Sequence, residues 1–217
     1  MLLLVGLLAG SALLAAAVVA RVVSTHSLDL TNLVWNLFLA WIPFVLALGL
    51  YDAARRGAAG TPLLALGALW LVFLPNAPYI ATDVIWLGDL ESGTYWHDPL
   101  LVGGAAGLGL VLGFVSIYLV QAVVAARLGR AAGWTVAAGA LVLSGLGVYL
   151  GRYERWNSWE VLTEPGKVFG GLAAGIVDPF AHARPLALAA FFAAACGAGY
   201  ALFYSVLRPH LRRLEDR

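Results

Sequence analysis

Six long apolar stretches run through this chain, and their length decides what it can fold into. They cover approximately Leu2–Ala20, Leu33–Tyr51, Leu63–Leu87, Leu100–Ala126, Ala132–Leu150 and Leu186–Leu207. A helix needs roughly 20 apolar residues to cross about 30 Å of hydrocarbon, and each stretch meets or nearly meets that length. Hydrophobic residues make up 62% of the chain and charged residues 12%. The charged share is about half that of soluble domains, and one water-soluble core of this size could not hide so much apolar surface. The expected fold is all-α: a polytopic transmembrane helix bundle of about six spans, forming a single integral membrane domain over 1–217. The first stretch has no basic segment before it and is too long for the apolar core of a signal peptide, so it reads as a retained span.

Basic residues give the orientation. With six spans, Arg55, Arg56, Arg127, Arg130, Arg208, Arg212, Arg213 and Arg217 collect on one side. Arg21, Arg152, Arg155, Lys167 and Arg184 fall on the other, in longer loops. The positive-inside rule then expects both termini in the cytoplasm. Short first, second and fourth connections predict that the first five spans mostly pack as antiparallel neighbours. Small residues four apart in the fourth span, Gly103/Gly107 and Gly109/Gly113, are spaced for close helix approach. The net charge of +1 gives no basis for nucleic-acid binding. A single cysteine, Cys196, excludes an intrachain disulfide and a Cys-based zinc site. No metal ligand set is expected, and no cofactor or oligomeric state can be read.

The third span contains Pro75-Asn76-Ala77-Pro78-Tyr79. Two prolines three apart remove two backbone donors and clash with the preceding turn, so the span is expected to break at Pro75–Pro78. Carbonyls freed within a membrane need a partner, and Asn76, Tyr79, Thr82 and Asp83 can supply one. Either the break is a satisfied kink, with Asn76 bonding the loose carbonyls, or it lines a cavity. Between the fifth and sixth spans, Thr163-Glu164-Pro165 reads as a helix start. The apolar run after it is too short to span, so a short interfacial or re-entrant helix is expected near 164–177.

The outer end of the fifth span reads Gly151-Arg152-Tyr153-Glu154-Arg155-Trp156-Asn157-Ser158-Trp159-Glu160. If helical, Arg152, Arg155, Trp156 and Trp159 share one face. Interfacial anchoring explains the aromatics, with arginines reaching to lipid phosphates. The polar density, with Asn157 and Ser158 included, exceeds what anchoring needs, and an arginine pair suits a phosphate or carboxylate. Tyr95-Trp96-His97-Asp98 reads as exposed loop, although His97 and Asp98 could join Asp83, Glu154 or Glu160 in acid–base or metal chemistry. Asn32 and Asn36, one turn apart, are explained by polar contact across the bundle. All these groups fall on the same expected outer side.

These residues resemble a bacterial membrane-protein family, domain of unknown function 1361. The matching stretches are NLFLAWIP at Asn36–Pro43, FLPNAPYIATD at Phe73–Asp83 and GRYERWNSWEVL at Gly151–Leu162, with YWHDPLL at Tyr95–Leu101 agreeing more loosely. The PNAPY motif together with the RWNSW motif is the specific combination. The resemblance implies a small multi-pass protein of the bacterial cytoplasmic (inner) membrane and carries no activity. The family's pattern often has His three residues after the Asp of the PNAPY motif. This chain has Trp86 there, which weighs against metal or base chemistry at that point.

Three functional readings follow. The first is a non-enzymatic binding or transport-type protein with an outward polar pocket for a lipid headgroup or small anionic ligand. Its contacts would be Asn76, Tyr79, Thr82, Asp83, Arg152, Arg155, Trp156, Asn157, Ser158 and Trp159. The second is a membrane-embedded enzyme acting on a lipid-linked or periplasmic substrate, with Asp83, Asp98, Glu154 and Glu160 as catalytic candidates. No H-E-x-x-H, G-x-S-x-G or P-loop pattern supports a particular reaction. The third is a structural subunit of a membrane complex.

Overall fold

The computed structural model describes residues 2–88, 90, 95–153, 155–156, 158–164, 166, 170 and 183–215. In chain order they form α1 (Leu2–Thr25), α2 (Asn32–Arg55), α3 (Thr61–Phe73), α4 (Asn76–Tyr79), a 3-10 helix (Ile80–Gly88), α5 (Asp98–Leu128), α6 (Arg130–Tyr153), the one-turn α7 (Glu160–Thr163) and α8 (Ala183–Glu215). Six helical segments are long and apolar enough to cross a membrane, the third running over Thr61–Val84 through α3, α4 and the start of the 3-10 helix. No strand occurs among the described residues. The bundle is therefore the all-α, six-span architecture that the hydropathy predicts. The expected interfacial or re-entrant helix at 164–177 lies mostly outside the described residues. Thr163, the expected cap of that helix, ends α7, and its hydroxyl donates to the Trp159 carbonyl at 3.3 Å.

The bundle is organised around α5, whose buried residues run from Asp98 to Val123 and face neighbours on several sides. It packs against α1, α2, α4, the 3-10 helix, α6 and α8. The α2–α3 and α5–α6 pairs meet as sequence neighbours, as the short connections predict. Helix α1 departs from that pattern and rests mainly on α5. Its buried residues Leu7, Leu14, Val18 and Arg21 form one stripe at helical spacing, and the rest of its surface is open. Exposed apolar residues such as Leu8, Leu13 and Val19 are what a lipid-facing helix presents.

The chain breaks in the third span as the two prolines require. Helix α3 stops at Phe73, α4 is a single turn, and the segment tightens into a 3-10 helix from Ile80. The broken part comes close to α5 at Gly109 and Gly113. A Cβ built on Gly109 would stand 2.6 Å from the Ala77 carbonyl oxygen, and one on Gly113 would stand 2.9 Å from the Ala77 Cβ. On α6, a side chain at Gly147 would overlap the Pro75 ring. Gly103 and Gly107 share the four-residue spacing but face open space, so only the second glycine pair makes a close helix approach.

Two pairs of polar side chains deep in the bundle bond to each other, while the buried Ser144 hydroxyl has no partner among the described residues. Trp70 Nε1 donates to Ser116 Oγ at 3.1 Å, and that hydroxyl donates to the Gly113 carbonyl at 2.8 Å. The Tyr200 hydroxyl donates to Gln121 Oε1 across the α5–α8 contact. Each bond satisfies a donor that lipid could not.

The two glycine pairs make a matched test of this packing. Gly109→Val is expected to lower stability by about 1–3 kcal/mol or prevent folding, as overpacking does. Gly103→Val, on the open face, is expected to leave the melting temperature within error of the parent. Thermal unfolding of the detergent-purified chain distinguishes the two.

Candidate functional site

The broken third span delivers Asp83 to one end of the bundle, where α2, the α1–α2 loop and the end of α6 also converge. Asn76 Nδ2 donates to the Phe73 carbonyl and to Ser158 Oγ, both at 2.9 Å. Asn76 thus binds a carbonyl that the proline break leaves loose, and it ties the 158–159 turn to the break. Thr82 is buried, and its hydroxyl donates to the Tyr79 carbonyl at 2.6 Å. Both residues hold the kink through these bonds.

Asp83 is fully buried. Its Oδ1 accepts from Arg152 Nη1 at 3.2 Å, and its Oδ2 accepts from Asn36 Nδ2 at 2.7 Å and Asn32 Nδ2 at 3.5 Å. Arg152 also donates from Nη2 to the Thr82 carbonyl at 2.9 Å and stands 5.8 Å from the Tyr79 ring centroid. As the basic residue in the last turn of α6, it faces the negative end of that helix's dipole. Gly151, just before it, brings the helix within 3.2 Å of the Tyr79 ring, measured from the position of a Cβ. One carboxylate is therefore shared by α2, the broken span and α6. The two asparagines, read from sequence as bundle contacts, both donate to it.

These residues border an open cleft of about 450 Å³, within the range of about 300–1,000 Å³ usual for small-molecule sites. Its lining includes Asp29, Asn32, Asn36, Tyr79, Asp83 and Arg152, with Leu28, Leu30 and Leu90 supplying apolar wall. The α1–α2 loop that forms one side has two non-glycine residues at positive φ, His26 at 54° and Leu30 at 65°. A leucine in that region is strained and persists only where its surroundings hold it. Here the Leu30 side chain is buried in the core.

Behind the cleft lies a second polar centre. Arg21 and Asp98 are both buried and pair through two contacts, Nε to Oδ1 at 2.6 Å and Nη2 to Oδ2 at 3.3 Å. The Tyr95 backbone N–H donates to Asp98 Oδ2 at 2.9 Å, and the Tyr95 ring lies 5.8 Å from the guanidinium. Arg21 also donates from Nη1 to the Asp29 carbonyl at 3.1 Å, and its Nη2 lies 3.9 Å from the Asp29 carboxylate. The expectation that Asp98 is an exposed loop residue does not hold: it opens α5 and is sealed against α1. His97 is partly exposed, with Nε2 3.7 Å from Asp98 Oδ1.

The expected face of Arg152, Arg155, Trp156 and Trp159 does not form. Helix α6 ends at Tyr153, Arg155 takes φ 57°, and Trp156 closes the turn by donating to the Leu150 carbonyl at 3.2 Å. Arg155 is exposed and is not in the lining of the cleft. Trp156 is half-buried, and Trp159 is exposed beside the one-turn α7, which Glu160 opens. Glu154 and Asn157 lie outside the described residues. Among the described residues, no group of three His, Cys, Asp or Glu is placed to hold a metal ion. Arg21, Asp29, Asn32 and Asn36 were not among the site residues read from sequence. A signal for Arg21 existed: it continues the buried Leu7–Leu14–Val18 stripe at the end of an apolar span.

The family model described as "Protein of unknown function (DUF1361)" matches residues 35–196, and the chain belongs to that family. The matched stretch contains Asn36, Tyr79, Asp83, Asp98 and Arg152; Arg21, Asp29 and Asn32 precede it. No match was found among curated proteins or among solved structures.

Because the Arg21–Asp98 pair is buried, removing one partner takes away the main counter-charge of the other. Arg21→Met or Asp98→Leu alone is expected to cost about 3–5 kcal/mol, and the double substitution is expected to recover most of that loss. A double-mutant cycle on thermal stability in detergent measures the coupling; simple additivity would contradict it.

Proposed function

We propose that the cleft is a non-catalytic binding site for a polar ligand, either a phospholipid headgroup or a small polar solute, at the extracytoplasmic face of the membrane. The observation that carries this reading is the open cleft itself, lined by Asp29, Asn32, Asn36, Tyr79, Asp83 and Arg152. Apolar surface flanks it: Leu28, Trp35 and Phe38 are all exposed near the same end of α2. A headgroup in the cleft would leave its acyl chains against such surface.

The geometry favours binding over chemistry. Asp83 and Asp98, two of the carboxylates that acid–base catalysis would use, are each ion-paired to an arginine. Binding also fits better than conduction. In the bundle interior Ser116 and Gln121 are engaged with Trp70 and Tyr200, and the buried hydroxyl of Ser144 stands alone, so these residues do not extend the cleft into a polar path. A free anion is less favoured than the sequence suggested, because Arg152 is bonded to Asp83 and does not act in a pair with Arg155.

Two experiments test this reading. Native mass spectrometry of the gently extracted chain is expected to find a bound lipid or solute whose occupancy falls at least severalfold in Arg152→Gln and Asp83→Asn. Identical empty spectra from the parent and both variants would remove the proposal. Orientation is tested separately with single cysteines in a Cys196→Ala background. Leu28→Cys should react with an impermeant maleimide on intact cells, and Ala59→Cys only after lysis; the reverse pattern would place the cleft in the cytoplasm.

A further inference from the structure

Pro78 has no N–H, so the carbonyl of Leu74, four residues before it, loses its helical donor. The backbone tightens there, and the Ala77 N–H reaches the Leu74 carbonyl at 3.1 Å. A carbonyl oxygen has two lone pairs, and in a helix it points toward the residue four positions on. That residue is the proline. The helix therefore supplies nothing for the second lone pair of Leu74.

Helix α6 passes the break at this level. A side chain on Gly147 would overlap the Pro75 ring, so the face of α6 that carries Gly147 is the one packed on the broken span. Ser144, three residues before Gly147, shares that face. It is 2% exposed, and its hydroxyl has no partner among the described residues. A helical serine can bond back to the carbonyl one turn earlier, and Ser144 does not. Leu74, Pro78, Ser144 and Cys196 border one cavity, with Gly113 and Leu141 among its other walls. The hydroxyl of a serine is one bond from its Cβ, so a cavity bordered by Ser144 lies within its reach. The space open to the centre of a water-sized sphere is about 10 Å³, close to what one water needs.

We propose that this cavity is a binding site for a single water, held between Ser144 Oγ on α6 and the Leu74 carbonyl at the break. The lining selects the occupant. An apolar guest would leave the hydroxyl unpaired inside the bundle, which is costly. An ion would meet no charged side chain among the described residues of the lining. A larger polar solute exceeds the space. Water brings both donors and acceptors: it bonds the Ser144 hydroxyl and donates to the carbonyl. Cys196 on α8 adds a thiol, which is a weak partner. Ordered water is one of the means by which a proline-broken span satisfies its freed backbone. The bridge ties the break to α6 inside the bundle, as the Asp83–Arg152 pair does at its end.

A crystal structure of the full chain grown from lipid, at a resolution that shows ordered water, tests the site directly. A peak is expected within about 2.6–3.2 Å of both Ser144 Oγ and the Leu74 carbonyl oxygen. In Ser144→Ala the same peak should be lost or weakened at least twofold. No peak in the parent, or a Ser144 hydroxyl turned onto the Ala140 carbonyl instead, would overturn the proposal. Thermal unfolding in detergent gives a second reading whose sign decides. Ser144→Ala is expected to lower the melting temperature by about 2–4 °C, the shift that one hydrogen bond makes in a chain of this size. A hydroxyl without a water would respond in the opposite sense, because alanine removes a buried unpaired group. An unchanged or raised melting temperature would therefore also overturn the water site.

Discussion

A backbone inside lipid must satisfy its own hydrogen bonds, and this chain places two prolines where a helix cannot comply. The consequences spread from that point. The loose Phe73 carbonyl takes the Asn76 amide, the segment tightens into a 3-10 helix, and Asp83 arrives buried at the end of the bundle. A buried carboxylate is costly unless it is paired and bonded on all sides. Arg152 from α6 and two asparagines from α2 meet that requirement. The kink therefore does more than bend a helix: its compensation locks three spans together and forms a wall of the cleft.

The Arg21–Asp98 pair performs the corresponding task for α1. That helix has one narrow buried stripe and otherwise faces outward, so apolar packing alone would fix its register weakly. A two-contact arginine–carboxylate pair has strong directional preference. It joins the end of α1 to the first residue of α5, and the same guanidinium holds the Asp29 carbonyl at the rim of the cleft. Both ion pairs lie at the end that carries the cleft. The interior away from it is held by glycine-mediated contacts, aromatic rings and isolated polar bonds such as Trp70–Ser116.

The spans were legible because lipid thickness imposes a length, and the break because proline carries its geometry in its own ring. Pairings between distant segments were not legible. Arg21 and Asp98 stand 77 residues apart, and Asp98 sits among aromatic and polar neighbours that read as loop. Only its partner makes burial tolerable, and the partner is set by tertiary packing. The misreading of Arg155 has a different cause. The shared face depended on a helix continuing through Glu160, but the backbone turns left-handed at Arg155, and arginine gives no local signal for that conformation. The glycine pairs in α5 show the same limit in another form: the spacing is identical, and which pair faces a neighbour depends on helix rotation.

The cleft's character follows from how its charges are spent. Sequence reading counted two arginines near the end of α6 and drew an anion site from them. Folding bonds Arg152 to Asp83, and Arg155 is exposed and does not line the cleft. Asn32 and Asn36 in turn spend amide N–H groups on Asp83. The demand of one buried carboxylate thus decides what several polar side chains around the cleft are doing, and a count of residue types in the sequence could not show that.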